Sequence, residues 1–129
     1  MLENKSKSKI LVIDDEEILT KTFARLLEKH GYEVFIATHP QDAIALAEEM
    51  DFDLILCDIR MPGQNGVETA RQIRAKQDRE RIPIIFLTGY ADEDQEREAQ
   101  ELKPIAYLIK PFDAFHLLRL IHSQFSNET

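Results

Sequence analysis

The hydrophobic pattern of this chain switches between two periods five times, and that alternation leaves few folds open. Short runs rich in β-branched residues occur at Ile10–Ile13, Val34–Ala37, Leu54–Cys57, Ile84–Leu87 and Ile105–Ile109. They are nearly continuous in apolar character, as strands covered on both faces must be. Between them the spacing turns helical. Leu19, Phe23, Leu26 and Leu27 stand at i, i+4, i+7 and i+8, and Gly31 follows as a stop. Pro40 suits a first helical turn, ahead of the stripe Ala43, Ile44 and Ala47. Val67, Ala70 and Ile73 mark a third helix, and Phe115, Leu118, Ile121 and Phe125 a fifth. The fourth, around Asp92–Leu102, offers mainly Ala99 and Leu102 among many acids, so it is expected to be the least firmly docked. Strand and helix alternating over short connections predict a five-stranded parallel sheet in a three-layer α/β/α sandwich.

At 129 residues the chain suits one domain, expected over residues 9–125 with flexible ends at 1–8 and 126–129. Sixteen basic against 24 acidic residues give a net charge of −8. That balance argues against direct nucleic-acid binding, which needs clustered Lys and Arg. It fits either plain solubility or an acidic partner surface. The single Cys57 excludes an internal disulfide and a cysteine zinc site, and suits a reducing compartment. Residues 1–8 lack the apolar core of a signal peptide, and no run approaches the roughly 18 apolar residues that cross a bilayer. The expected location is the cytoplasm, without a membrane partner.

In a parallel sheet the carboxyl ends of the strands lie on one edge, where ligands bind. Asp14-Asp15-Glu16-Glu17 follow the first strand, Asp58 ends the third, Thr88-Gly89 end the fourth and Lys110-Pro111 the fifth. Three aspartates, a hydroxyl and a lysine thus converge on one crevice. Two unit charges about 5 Å apart at an effective dielectric near 20 cost on the order of 3 kcal/mol, so crowded carboxylates demand positive charge. Lys110 supplies one unit and a divalent ion would supply two; an all-oxygen set suits magnesium or manganese. An acidic run at a helix start also reads as a cap. Acids on two separate strands are more than one cap explains.

The segments Lys9–Glu16, Asp53–Gly63, Pro83–Gly89 and Tyr107–Phe112 together resemble the receiver domains of response regulators, over about residues 9–125. The resemblance implies a flavodoxin-like, doubly wound sheet and a phosphorylation switch rather than an enzyme. Asp58 would accept a phosphoryl group from a sensor histidine kinase or a histidine phosphotransfer protein. Asp15, Asp58 and the backbone carbonyl of Arg60 would ligate Mg2+ or Mn2+, with Asp14 acting mostly through metal-bound water. Lys110 and Thr88 would meet the phosphoryl oxygens, and Tyr107 would turn inward as Thr88 moves. The signal would pass to an output domain or effector protein. The resemblance also implies a cis Lys110–Pro111 bond. Arg60 and Tyr90, each two residues beyond a strand-end group, are expected to border the path of an attacking water and set the phosphoryl lifetime.

Three other readings fit less well. An aspartyl-phosphate phosphatase places Asp-x-Asp after its first strand, and a flavin-binding protein needs a Ser/Thr/Gly-rich loop there; neither stands here. A degenerate receiver that binds partners without phosphorylation would not need Asp15, Asp58, Thr88 and Lys110 together. Lys103-Pro104 replace the Gly-Ala pair that many receivers carry before the fifth strand. The last helix is rich in Phe112, Phe115, Leu117, Leu118, Leu120, Ile121 and Phe125, more apolar than one face requires, and offers a contact for a partner or a second copy. Pro62, Gly63 and Gly66 read as loop-shaping turn residues. His30, His39, His116 and His122 lie away from the strand ends and read as structural or solvated.

Overall fold

The computed structural model describes residues 7–61, 63–76, 81–90 and 92–126, with the side chains of 17–19 excepted. The expectations for residues 1–6 and 127–129, for Pro62 and for the side chain of Leu19 lie outside the described residues. The strands are β1 (Lys9–Ile13), β2 (Glu33–Ala37), β3 (Leu54–Asp58), β4 (Ile84–Thr88) and β5 (Ala106–Ile109). The helices between and after them are α1 (Glu17–Lys29), α2 (Pro40–Glu49), α3 (Gly66–Ala75), α4 (Glu93–Glu101) and α5 (Ala114–Ser126), so Phe112 precedes the last helix and is not part of it. All strand pairs are parallel, in the order β2-β1-β3-β4-β5. The order reverses between β1 and β3, which opens a crevice at their carboxyl ends.

The pleat sorts side chains to opposite faces of the sheet. Leu11, Ile13, Ile55, Cys57, Ile84 and Phe86 pack with Ala43, Ile44 and Ala47 of α2, Val67, Ala70 and Ile73 of α3 and Ala99 of α4. Ile10, Val12, Leu54, Leu56, Ile85 and Leu87 pack with Phe23 and Leu27 of α1 and with Leu117, Leu118 and Ile121 of α5. The three central strands are buried almost throughout, as their apolar runs demand. The edge strands β2 and β5 are only partly covered, so continuous burial does not extend to them.

Helix ends follow the local chemistry. Gly31, with φ +95°, takes the left-handed position just past α1, and Pro40 occupies the first turn of α2. Asn65 and Asp92 cap α3 and α4 with their side chains. Acid-rich α4 buries only Ala99, in line with its weak expected docking. Its C-terminus is tied down by Arg74 of α3, whose guanidinium donates to the Leu102 carbonyl and, at 2.9 Å, to that of Ile82. Burial, then the neighbouring Arg81, lowers the Arg74 pKa. Beyond α4 the chain turns through Lys103 in the left-handed region, at φ +51°.

Candidate functional site

Asp14 and Asp15 leave β1, Asp58 ends β3, Thr88 ends β4 and Lys110 follows β5, so the sheet brings all five to one edge. Each of Asp14, Asp15 and Asp58 presents a carboxylate oxygen within 4.8 Å of the other two. Asp14 and Asp58 are buried, whereas Asp15 is exposed at the rim. Lys110 Nζ lies 3.1 Å from Asp14, 3.2 Å from Glu16 and 3.6 Å from Asp58. The Lys110–Pro111 peptide is cis, as the resemblance implied.

Four acids around one ammonium leave the site strongly negative, and the ionisation equilibria respond. Burial, then the charge of Asp14, pushes Asp58 up to about 6, against the opposing pull of Lys110. Burial favours the neutral form of Lys110, but Asp14 and Asp58 outweigh it and raise its pKa. The acidic run is only marginally a cap. Asp14 accepts the Glu16 N–H at 3.0 Å, while Glu16, at the cap position of α1, makes no side-chain cap bond. A cluster of exclusively oxygen donors at this spacing, short of positive charge, fits a small hard divalent ion.

Thr88 is fully buried, and its hydroxyl is engaged with the next turn. It donates to the Tyr90 carbonyl at 3.1 Å and accepts from the Tyr90 N–H at 3.2 Å. The Lys110 N–H reaches the Thr88 carbonyl at 2.6 Å and joins the two strand ends. Tyr107 is half-buried against the core on the α2–α4 side, and its hydroxyl has no hydrogen-bond partner among the described residues. Burial, with Glu96 and Asp92 nearby, raises its pKa. Arg60 and Tyr90 do line the cleft over Asp58, a space of about 440 Å³ shared with Asp15, Glu16, Gly89 and Lys110. They also meet each other: the Arg60 guanidinium sits 4.6 Å from the Tyr90 ring centroid.

Gly66 corrects a sequence expectation. It is the first residue of α3 and not a turn residue, and its backbone has no need of the left-handed region. A Cβ there would stand 2.1 Å from the Asp58 carbonyl oxygen and 2.8 Å from Cys57 Sγ. The Gly66 N–H meets the Ile59 carbonyl at 2.7 Å, so α3 starts directly against the strand end that carries Asp58. Only a contact made after folding imposes this requirement. The one available signal was a glycine eight residues after an acid at a strand end. Cys57, whose thiol pKa burial drives upward, is a buried core residue as expected. None of the four histidines joins the site; His122 instead pairs with the Tyr32 hydroxyl at 2.5 Å.

Residues 10–122 match the family described as the response regulator receiver domain. The transcriptional regulatory protein ResD of Bacillus subtilis is 37% identical over 111 residues, 86% of this chain and 45% of ResD. PdtaR, a transcriptional regulatory protein of Mycobacterium tuberculosis, is 34% identical over 115 residues, 88% of this chain and 54% of PdtaR. The chain therefore spans about half the length of these relatives. A receiver domain protein of Methanospirillum hungatei superposes with a TM-score of 0.87 at 29% identity, covering 94% of this chain and 95% of that one. A response regulator of Burkholderia pseudomallei, crystallised with a phosphorylated aspartic acid, a calcium ion and citrate, superposes at 0.78 with 28% identity, covering 95% and 74%.

Proposed function

The chain belongs to the response regulator receiver domain family of two-component signalling, and on that premise we propose that Asp58 is its phosphoacceptor. The observation that carries the reading is the placement of Lys110 within 3.6 Å of Asp58, beside two further aspartates. A carboxylate oxygen of Asp58 attacks the donor phosphorus in line, and the donor's bond to phosphorus breaks. Lys110 meets the charge on the transferring oxygens; in such transfers positioning and charge neutralisation are the main catalytic effects. Asp15, Asp58 and the Arg60 carbonyl would hold Mg2+ or Mn2+, with Asp14 behind them through water. The ion, when bound, screens the carboxylates from one another and from the incoming phosphoryl group.

The same groups would send the signal. Thr88 exchanges the Tyr90 carbonyl for a phosphoryl oxygen, which loosens the turn into α4, and Tyr107 moves inward behind it. Arg60 and Tyr90, stacked over the cleft, slow the approach of water and lengthen the phosphorylated state. The donor would be a histidine kinase or phosphotransfer protein of the cytoplasm, with residues 9–125 as the receiving unit. Phe115, 64% exposed on α5, supports a contact there with an effector or a second copy. The acidic surface supports an output other than direct nucleic-acid binding by this domain. Acetyl phosphate with magnesium should add one phosphoryl group to the wild type and none to Asp58→Asn, by intact mass. An equal gain in the Asn variant would rule Asp58 out.

A further inference from the structure

Lys110 has three carboxylates within reach, and they are not equivalent. Asp14 at 3.1 Å and Asp58 at 3.6 Å have side chains only 3% and 6% exposed. Glu16, at 3.2 Å, has a side chain that is 62% exposed. Its carboxylate does not cap its own helix, although it stands at the cap position. Glu16 forms part of the wall of the cleft over Asp58 and also of a neighbouring cleft lined by Phe23, Gly89, Pro111 and Phe112. A buried carboxylate stripped of its ammonium keeps its charge in a poor solvent. An exposed one passes to water at little cost. Of the three anions, Glu16 is the one that can release the lysine.

We propose that Glu16 is a positioning residue that holds Lys110 while Asp58 is unphosphorylated and yields it to the arriving phosphoryl group. The proposal rests on the reading of Asp58 as the phosphoacceptor. With acetyl phosphate, an Asp58 oxygen bonds to phosphorus, the phosphorus–oxygen bond to the acetyl group breaks, and acetate leaves with the electron pair. No proton moves, and total charge is conserved. As transfer proceeds, the Lys110 ammonium leaves Glu16 for a phosphoryl oxygen, and water takes its place at Glu16. The ion pair is therefore an obstacle to loading, and Glu16 also repels the anionic donor.

The test follows phosphorylation of the whole chain by intact mass, over a range of acetyl phosphate and magnesium concentrations. Glu16→Gln should load faster at saturating magnesium by about fivefold, the equivalent of about 1 kcal/mol for an exposed ion pair. The gain should appear in kcat/KM for the donor, leave the half-saturating magnesium concentration unchanged and shrink in high salt. Glu16→Ala should behave alike, which separates charge from any bond made by the Gln amide. Loading at the wild-type rate or slower overturns the proposal. So does a change confined to magnesium affinity, which would make Glu16 a ligand of metal-bound water. If the wild type gains no phosphoryl group that Asp58→Asn lacks, the receiver reading fails and this proposal with it. A wild type that loads normally beside an unaltered Gln variant removes only the role of Glu16.

Discussion

Without metal, the charge on Asp58 works against the folded state. Its pKa stands at about 6 in the fold, against about 3.9 in an unfolded chain. Between these values the folded protein keeps a proton that the unfolded chain has lost, so stability through this group falls as pH rises. The full loss is at most about 3 kcal/mol at pH 7.5 and about half that at pH 5. Metal-free Asp58→Asn should therefore exceed the wild type in urea resistance at pH 7.5, with a smaller margin at pH 5. Equal midpoints at both pH values would show that Asp58 is not strained by its neighbours. The stacked Arg60 and Tyr90 stand together over the cleft that holds Asp58. Arg60→Asn with Tyr90→Ala should speed decay of the phosphorylated protein about tenfold at saturating magnesium, a change of only about 1.4 kcal/mol in barrier. Decay at the wild-type rate would mean that neither side chain hinders water. The acids, Thr88 and Lys110 were legible in the sequence because strand ends in a parallel sheet share an edge. The Glu16–Lys110 pair was not, because a carboxylate in an acidic run looks the same whether it caps its own helix or reaches across the crevice.

Two element junctions depend on backbone conformation and close approach. Lys103 occupies the left-handed position after α4, where a β-carbon is disfavoured by about 1 kcal/mol or more. Lys103→Gly should raise unfolding stability by roughly 0.5–1 kcal/mol in chemical denaturation, after allowance for the greater freedom of glycine in the unfolded chain. A destabilised variant would show that the lysine side chain, and not its backbone, matters at that turn. Gly66→Ala should act in the opposite direction. The added methyl meets the Asp58 carbonyl, so α3 or the end of β3 must shift, at a cost of about 3 kcal/mol. Any folded fraction should load phosphoryl groups more slowly, since the shift displaces the proposed acceptor, Asp58. Wild-type stability and loading would mean that the helix start adjusts freely. Most elements could be read from the sequence, because strands buried on both faces must be apolar throughout and helices must show a stripe. Their starts drifted by a residue: β1 and β2 begin at Lys9 and Glu33, polar residues that no apolar run includes. Gly66 escaped because its constraint comes from another element's backbone.

Across the whole molecule, the acidic crevice would link metal binding to folding. An ion bound by Asp15 and Asp58 in the native state alone adds about 2.7 kcal/mol at a hundredfold excess over its Kd. Magnesium should raise the Tm of the wild type by several degrees and that of Asp15→Ala far less. Equal shifts in thermal melts would reduce the acids to a helix cap. The strand order could not be read from the hydrophobic pattern, which is blind to which buried strand lies beside which. It is this order that sets β3 beside both β1 and β4 and brings Asp58 between the other contributors. The ion pair between Asp14 and Lys110 spans 96 positions of the chain. A ribosome adds residues in order, so a growing chain holds every acid of the crevice before it holds the lysine. On the proposed role of Lys110, an unfinished chain, or one cut short before β5, would be acidic at the right places and still be deaf to a phosphate donor. If Asp58 is the acceptor and Lys110 meets the transferring oxygens, competence would arrive late in synthesis, and a broken copy would not draw phosphoryl groups away from intact ones.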